Sequence, residues 1–200
     1  MRLLRKSIVM GKCIKILKTG IDVSKVCEQL RRNPGDWDKH KDSEGAHLLN
    51  EDHGYDDLPI GNLQLTVGAV QKKEDYVGDS EFNVNTPAYS RHTEIFKLIK
   101  EEFGDKDIQR CGFLGLAVDG YVGAHIDKGT YYLKKDRYHL SIMGQYQYFC
   151  GEDSVVVDPG TLLWFNNKMP HGTVNLGDVT RITFVFDVRH SSTNPHHGID

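Results

Sequence analysis

The sequence lacks a surplus of either charge. Lys and Arg number 25 against 28 Asp and Glu, a net charge of −3, so no basic excess steers the chain onto nucleic acid or an anionic membrane. It also lacks any uninterrupted apolar run near the roughly 20 residues that cross a bilayer. The N-terminal stretch MRLLRKSIVMGKCIKILK is basic and partly apolar. Its apolar runs are broken by Arg5, Lys6, Lys12, Lys15 and Lys18, and no small-residue cleavage site follows; it makes a poor secretion signal. Cysteine is sparse: Cys13, Cys27, Cys111 and Cys150 are widely spaced, with no CxxC pair, which excludes a dense disulfide framework. They read as reduced thiols of a soluble, cytoplasmic protein, two disulfides being the other reading. Repeats and low-complexity linkers are missing too. The 200 residues suit one domain with its own core.

What is there falls into two parts. Residues 22–33 place Val23, Val26, Cys27 and Leu30 at helical spacing, ended by Pro34–Gly35. Residues 35–61 read as loops with one short strand at most, and Leu63, Leu65 and Val67 as a strand. A second helix is expected from about Arg91 to Phe103, with Ser90 as cap, an Ile95, Phe96, Ile99 and Phe103 stripe, and Gly104 as terminator. From Cys111 to Val188 short runs rich in Val, Ile, Tyr, Phe and Thr alternate with turn residues: GFLGLAV, YVGAHI, TYYL, RYHLSIM, YQYFCG, DSVVVD, GTLLWF, HGTVNL and RITFVFDV. So many short strands predict a mainly β fold of the jelly-roll kind with flanking helices. The expected domain spans residues 1–189, with an N-terminal part to 110 packed on a core of 111–189; residues 190–200 read as a tail.

His125-Ile126-Asp127 carries the first chemical signal. On a strand, residues two apart share a face, so both side chains can reach one ion. His171, after the loop 166–169, supplies a second imidazole. Two imidazoles and one carboxylate are the ligand set of non-haem Fe(II) oxygenases, which leaves coordination positions open. Arg181 adds to this. If Leu176–Asp178 is a hairpin loop, Thr173 faces Arg181 and His171 faces Thr183, and Arg181 is the diagonal neighbour of His171 at ~7–8 Å. A keto acid chelating iron puts its far carboxylate at about that reach, and the guanidinium fork suits a carboxylate; a surface Arg in a strand is the other reading. In Arg137-Tyr138-His139-Leu140-Ser141-Ile142, alternation puts Arg137, His139 and Ser141 on one face. That face lines an anion-binding pocket or is the solvent side of an edge strand.

The segments HID, KDRYHLSIM and GTLLWFNNKMPHGTVNLGDVTRITFVFDV resemble the aspartyl/asparaginyl β-hydroxylase family of Fe(II)/2-oxoglutarate-dependent oxygenases. The resemblance covers about residues 111–189. It implies a double-stranded β-helix (cupin-like) fold and a dioxygenase that hydroxylates an unactivated C–H, such as the β-carbon of an Asp or Asn residue or of a free amino acid. It also implies His125 and His171 as iron ligands, Arg181 as partner of the distal 2-oxoglutarate carboxylate, and Arg137 and His139 as co-substrate contacts near the metal. Two departures stand out. Vertebrate-type members have Gly at the carboxylate position, whereas Asp127 restores a full ligand triad and argues against a halogenase. The family's serine upstream of the first His is replaced here by Gly112-Phe113-Leu114, which has no hydroxyl.

The expected partners are a small molecule, or a peptide or protein residue, as substrate, with no nucleic acid and no membrane. His190, His196 and His197 read as a flexible tail, and His40, His47, His53 and His92 as surface residues. Trp164 and Phe165 are expected in the core. Tyr131, Tyr132, Tyr146 and Tyr148 read as core packing or as pocket walls, and Arg91 or Lys168 as partners of a substrate carboxylate. The rival classes are a metal-dependent cupin that does not use 2-oxoglutarate and a jelly-roll binding module without chemistry. A degenerate oxygenase kept as an interaction protein is a further alternative.

Overall fold

A computed structural model of the chain describes residues 11–39, 60–69 and 77–189. The basic N-terminus to Met10, most of the loop region 35–61 with His40, His47 and His53, and the tail with its three histidines lie outside the described residues. The C-terminal pattern resolves into β5 (Ile108–Leu116), β6 (Tyr121–His125), β7 (Lys135–Met143), β8 (Tyr146–Cys150), β9 (Asp153–Val157), β10 (Leu162–Phe165), β11 (His171–Asn175) and β12 (Arg181–Arg189). One expected strand is not a strand: Thr130–Leu133 forms a single helical turn. Gly129 enters it at φ +116. Asp79 Oδ1, from a distant segment, accepts from the backbone N–H and hydroxyl of Thr130 at 2.7 and 2.9 Å. No local pattern encodes such a cap.

Upstream lie β1 (Ile14–Lys18), β2 (Asp38–Lys39), β3 (Ile60–Gly68) and β4 (Asn83–Asn85), with helices α1 (Ser24–Arg32) and α2 (Thr93–Phe103). Gly104 ends α2 at φ +84. Ser90 is not its cap: residues 89–91 form a separate 3-10 turn, so the helix starts after His92. His92 is not a surface residue either. It is buried, with Nε2 2.9 Å from an Asp36 carboxylate oxygen, because the turn at Pro34–Asp36 folds over the start of α2.

The strands form two sheets. The larger runs β1-β10-β7-β12-β5-β3-β2, with β4 added to β3; the smaller runs β6-β11-β8-β9. From β5 to β12 the chain crosses back and forth between them, remaining in the smaller sheet only for the β8–β9 hairpin. This winding is a double-stranded β-helix, the jelly-roll arrangement.

One expectation about register fails. β11 pairs with β6 and β8, whereas β12 pairs with β5 and β7, so His171 and Arg181 are not hairpin neighbours. Asn175 explains the crossing. Its side-chain amide donates to the carbonyls of Leu116, Ala117 and Val179 at 3.1, 2.8 and 3.0 Å, tying the end of β11 to backbone from both flanks as the chain changes sheet.

Two apolar cores follow. On the outer face of the large sheet, Leu63, Leu65, Phe113, Tyr138, Leu140, Phe184 and Phe186 pack under the helix residues Val26, Leu30, Ile95 and Ile99. Between the sheets, at the β1 end, Ile14, Ile16, Tyr146, Tyr148, Val157, Leu163 and Phe165 form a second core. Each such buried side chain stabilises the fold by about 1.5–3 kcal/mol. Trp164 and Phe165 are buried as expected. Farther along the inner face, over β12, β5 and β3, apolar filling gives way to a cavity of ≈ 470 Å³.

Candidate metal centre

His125 and His171 are directly opposed residues of the β6–β11 ladder, and their ring centroids lie 4.4 Å apart. Each ring is turned by backbone two residues earlier in the chain. The Nδ1 of His125 lies 2.9 Å from the Gly123 carbonyl, and that of His171 lies 2.9 Å from the Met169 carbonyl. Nδ1–H therefore donates to backbone, and the lone pair resides on Nε2, the tautomer a metal needs. Burial holds His171 neutral, pulling its pKa down to about 4 against the attraction of Asp127.

Asp127 completes the cluster, but not as a strand residue. β6 ends at His125, and the backbone N–H of Asp127 donates to the Asn167 carbonyl at 3.1 Å. Its Oδ2 accepts from Arg137 Nη1 at 2.9 Å and from Asn167 Nδ2 at 3.1 Å. That turns Oδ1 toward His171 Nε2, 3.9 Å away. Burial disfavours the Asp127 carboxylate, yet Arg137, then His171 and Asn167, hold its pKa below the usual value. One donor atom from each of His125, Asp127 and His171 lies within 4.8 Å of the others. Two imidazole nitrogens and an ionised carboxylate oxygen on one side of a cavity fit a divalent first-row metal with positions left open.

Solved structures of low identity align with this chain. A solved oxidoreductase of the 2OG-Fe(II) oxygenase family from Burkholderia pseudomallei aligns at 14% identity over 86% of this chain and 94% of its own, with a TM-score of 0.48. A predicted oxalate decarboxylase from Thermotoga maritima aligns at 14% identity over 46% of this chain and 74% of its own, TM-score 0.36. A Cupin 2 conserved barrel domain protein from Salinispora arenicola aligns at 11% identity over 42% and 76%, TM-score 0.33. No family model matches the chain, and no curated protein does. The fold assignment rests on the strand order above.

Around the cluster, the polar face of β7 is buried and lies in mid-sheet, between β10 and β12, so the solvent-edge reading of this strand fails. Arg137 bridges two acids: besides Asp127, it donates from Nε and Nη2 to Asp187 Oδ1 and Oδ2 at 2.7 and 2.9 Å. The Tyr132 ring covers it at 4.7 Å. Burial opposes the charge, but the two carboxylates outweigh it and raise the guanidinium pKa well above its ordinary value. His139 packs against Tyr148 and Phe165 with ring centroids 5.1 and 4.7 Å away. Burial first, then Arg181 and Arg137, keep it neutral.

Arg181 is buried and lines the same cavity as His125 and Asp127. Its guanidinium lies 5.0 Å from the Tyr146 ring. Beside it Ser141 and Thr183 face each other across β7 and β12. The hydroxyls of Ser141, Thr183 and Tyr146 are buried side by side, with no further partner among the described residues. Neither Arg91 nor Lys168 lines the cavity: Arg91 donates to Asp36, and Lys168, though close to Asp127 and Asp187, donates to the Lys135 carbonyl. Tyr132 lines the cavity, one of the two readings its sequence allowed; sequence reasoning missed Asn167 and Asp187. For Asp187 a signal existed: an acid inside the apolar run FVFDV needs a buried cation.

Proposed function

We propose that this chain is an Fe(II)- and 2-oxoglutarate-dependent oxygenase that hydroxylates an unactivated C–H, with the β-carbon of an Asp or Asn residue or of a free amino acid as the first target to test. One observation carries the reading: the cluster of three metal-competent donors opens, through His125 and Asp127, onto the cavity that the buried Arg181 also lines. His125 and His171, through Nε2, and Asp127, through Oδ1, would hold the iron. When bound, iron and 2-oxoglutarate supply the oxidising power, since decarboxylation of the keto acid to succinate takes one atom of O2 and the substrate C–H receives the other as hydroxyl.

The protein does the positioning. Arg181 takes the distal carboxylate by a two-pronged bond, and the hydroxyls of Ser141, Thr183 and Tyr146 replace the hydroxyl missing from Gly112-Phe113-Leu114. Arg137 acts through Asp127, fixing which carboxylate oxygen faces the ion. His139, held neutral, adds no charge near the co-substrate. The aromatic layer of Phe165 and Tyr148 behind His171 keeps water from that side of the centre.

The test is anaerobic titration of the apo protein with Fe(II) and then 2-oxoglutarate. The expected result is a visible metal-to-ligand charge-transfer band that Asp127→Ala and His171→Ala abolish. Arg181→Ala should raise the 2-oxoglutarate concentration needed for half-saturation at least tenfold. Iron binding without a band would instead favour a cupin enzyme that does not use 2-oxoglutarate; no metal binding would leave a binding module.

A further inference from the structure

Three guanidiniums line the cavity: Arg110, Arg137 and Arg181. Arg137 is compensated by Asp127 and Asp187, and Arg181 is assigned to the co-substrate. Arg110 stands apart. Its Nε donates to Asn83 Oδ1 at 3.2 Å, and its Nη2 donates to the carbonyls of Val77 and Ser80 at 2.8 and 2.7 Å. All three acceptors are neutral. Arg110 makes no ion pair among the described residues, and its Nη1 makes no hydrogen bond among them. The guanidinium lies flat against Tyr131, 3.7 Å from the ring centroid.

A role limited to pinning residues 77–83 onto β5 needs only donors, not a charge. A half-buried guanidinium with no acid beside it among the described residues has lost hydration that neutral oxygens restore only in part. It is also pre-organised: three acceptors and a ring fix the fork, so little further ordering is needed when an anion arrives. On β5, Arg110 alternates with Gly112, which presents no side chain to the cavity. The Tyr132 ring stands between Arg110 and Arg137, 6.0 and 4.7 Å from their guanidinium carbons. The two guanidiniums are thus at most about 11 Å apart, on the order of three extended residues.

We infer that Arg110 is a specificity-determining residue that binds a carboxylate of the substrate, placing the carbon to be oxidised between itself and the metal cluster. The inference rests on the oxygenase reading. It selects acidic substrates of amino-acid size over neutral isosteres.

Calorimetry on the anaerobic protein saturated with Fe(II) and 2-oxoglutarate tests it, with two matched probe pairs: N-acetyl-aspartate α-amide against N-acetyl-asparagine amide, and N-acetyl-alanine against N-acetyl-alanine amide. At least one acid should bind tenfold or more tightly than its amide, and added salt should erode that preference. Arg110→Gln should abolish it and leave the amide's affinity unchanged; Arg110→Lys should retain part of it. If neither acid outbinds its amide in the wild type, or if the preference persists in Arg110→Gln, the inference is overturned. The wild-type salt series applies even if Arg110→Gln fails to fold, and a preference insensitive to salt also counts against Arg110. The charge-transfer band decides the oxygenase reading by itself: a band without any acid preference removes Arg110 alone.

Discussion

Strand β7 presents two faces that are both shielded from water and have opposite chemistry. On one, Tyr138, Leu140 and Ile142 enter the outer core, with Tyr138 stacked on Phe186 at 5.3 Å and against Phe103 at 5.0 Å. On the other, Arg137, His139 and Ser141 face the space between the sheets. Burial does not distinguish a structural face from a functional one here. The distinction lies in which groups have been left short of partners. A buried polar atom without a hydrogen bond costs about 1–3 kcal/mol; among the described residues His139 Nδ1 is in that state, and Ser141 Oγ and Thr183 Oγ1 have only the Tyr146 hydroxyl nearby. The outer face stabilises the fold, and the inner face draws on that stability to keep a ligand-ready chamber.

Substitutions on the two faces sharpen this contrast. The largest effect is expected from Arg137→Met, which leaves Asp127 and Asp187 buried without a cation. Urea denaturation of the apo protein should show a loss of about 3–5 kcal/mol, and a loss below about 1 kcal/mol would mean Arg137 does not hold this face together. His139→Leu acts through pH. The folded state depresses the His139 pKa, so the stability it contributes is present above the unfolded value near 6.5 and is lost as pH falls toward the depressed one. Removing it should make the acid limb of stability against pH shallower by up to ~1.4 kcal/mol per pH unit; an unchanged slope would contradict a neutral buried imidazole. On the apolar face, Ile142→Val should cost about 1 kcal/mol and leave 2-oxoglutarate affinity untouched. Smallest in stability is Ser141→Ala, which removes a hydroxyl that only the Tyr146 hydroxyl approaches. The melting temperature should hold or rise slightly while 2-oxoglutarate binding weakens; a clear drop in melting temperature would show that the hydroxyl is structural.

The same contrast explains what the sequence made legible. Period-2 and period-3.6 patterns report which side of an element avoids water, so α1, α2, β3 and eight of the nine runs after Cys111 could be read directly. That His125, Asp127 and His171 would lie together was legible from residue type, but not for the reason that alternation supplied, because β6 ends at His125 and Asp127 is turned by Asn167 and Arg137. Alternation does not say which sheet a strand joins. The crossing from β11 to β12 is set by Asn175 bonding three distant carbonyls, so the expected hairpin register was wrong even though Arg181 and His125 reach one cavity. β1 was hidden by its lysines: IKILK pairs with β10, and the long stem of Lys15 covers the Trp164 ring, Nζ 5.0 Å from its centroid. Asn167 acts through contacts made only in the fold, and nothing in its local sequence announces it.

The way the two imidazoles are oriented has a consequence for engineering. Each Nδ1 is satisfied by a carbonyl two residues earlier in the chain, that of Gly123 within β6 and that of Met169 in the turn before β11, so the correct tautomer travels with a three-residue segment and one cross-strand pairing. That half of the site is portable: Gly-x-His opposite Met-x-His on another antiparallel pair should reproduce two correctly turned ligands. The carboxylate half is not, because Asp127 takes its orientation from Asn167 and Arg137, and Arg137 in turn from Asp187, on separate elements. A graft that carries only the histidines should therefore yield a general two-imidazole metal site, and fidelity for the third ligand returns only when the whole acid–guanidinium–acid relay moves with it.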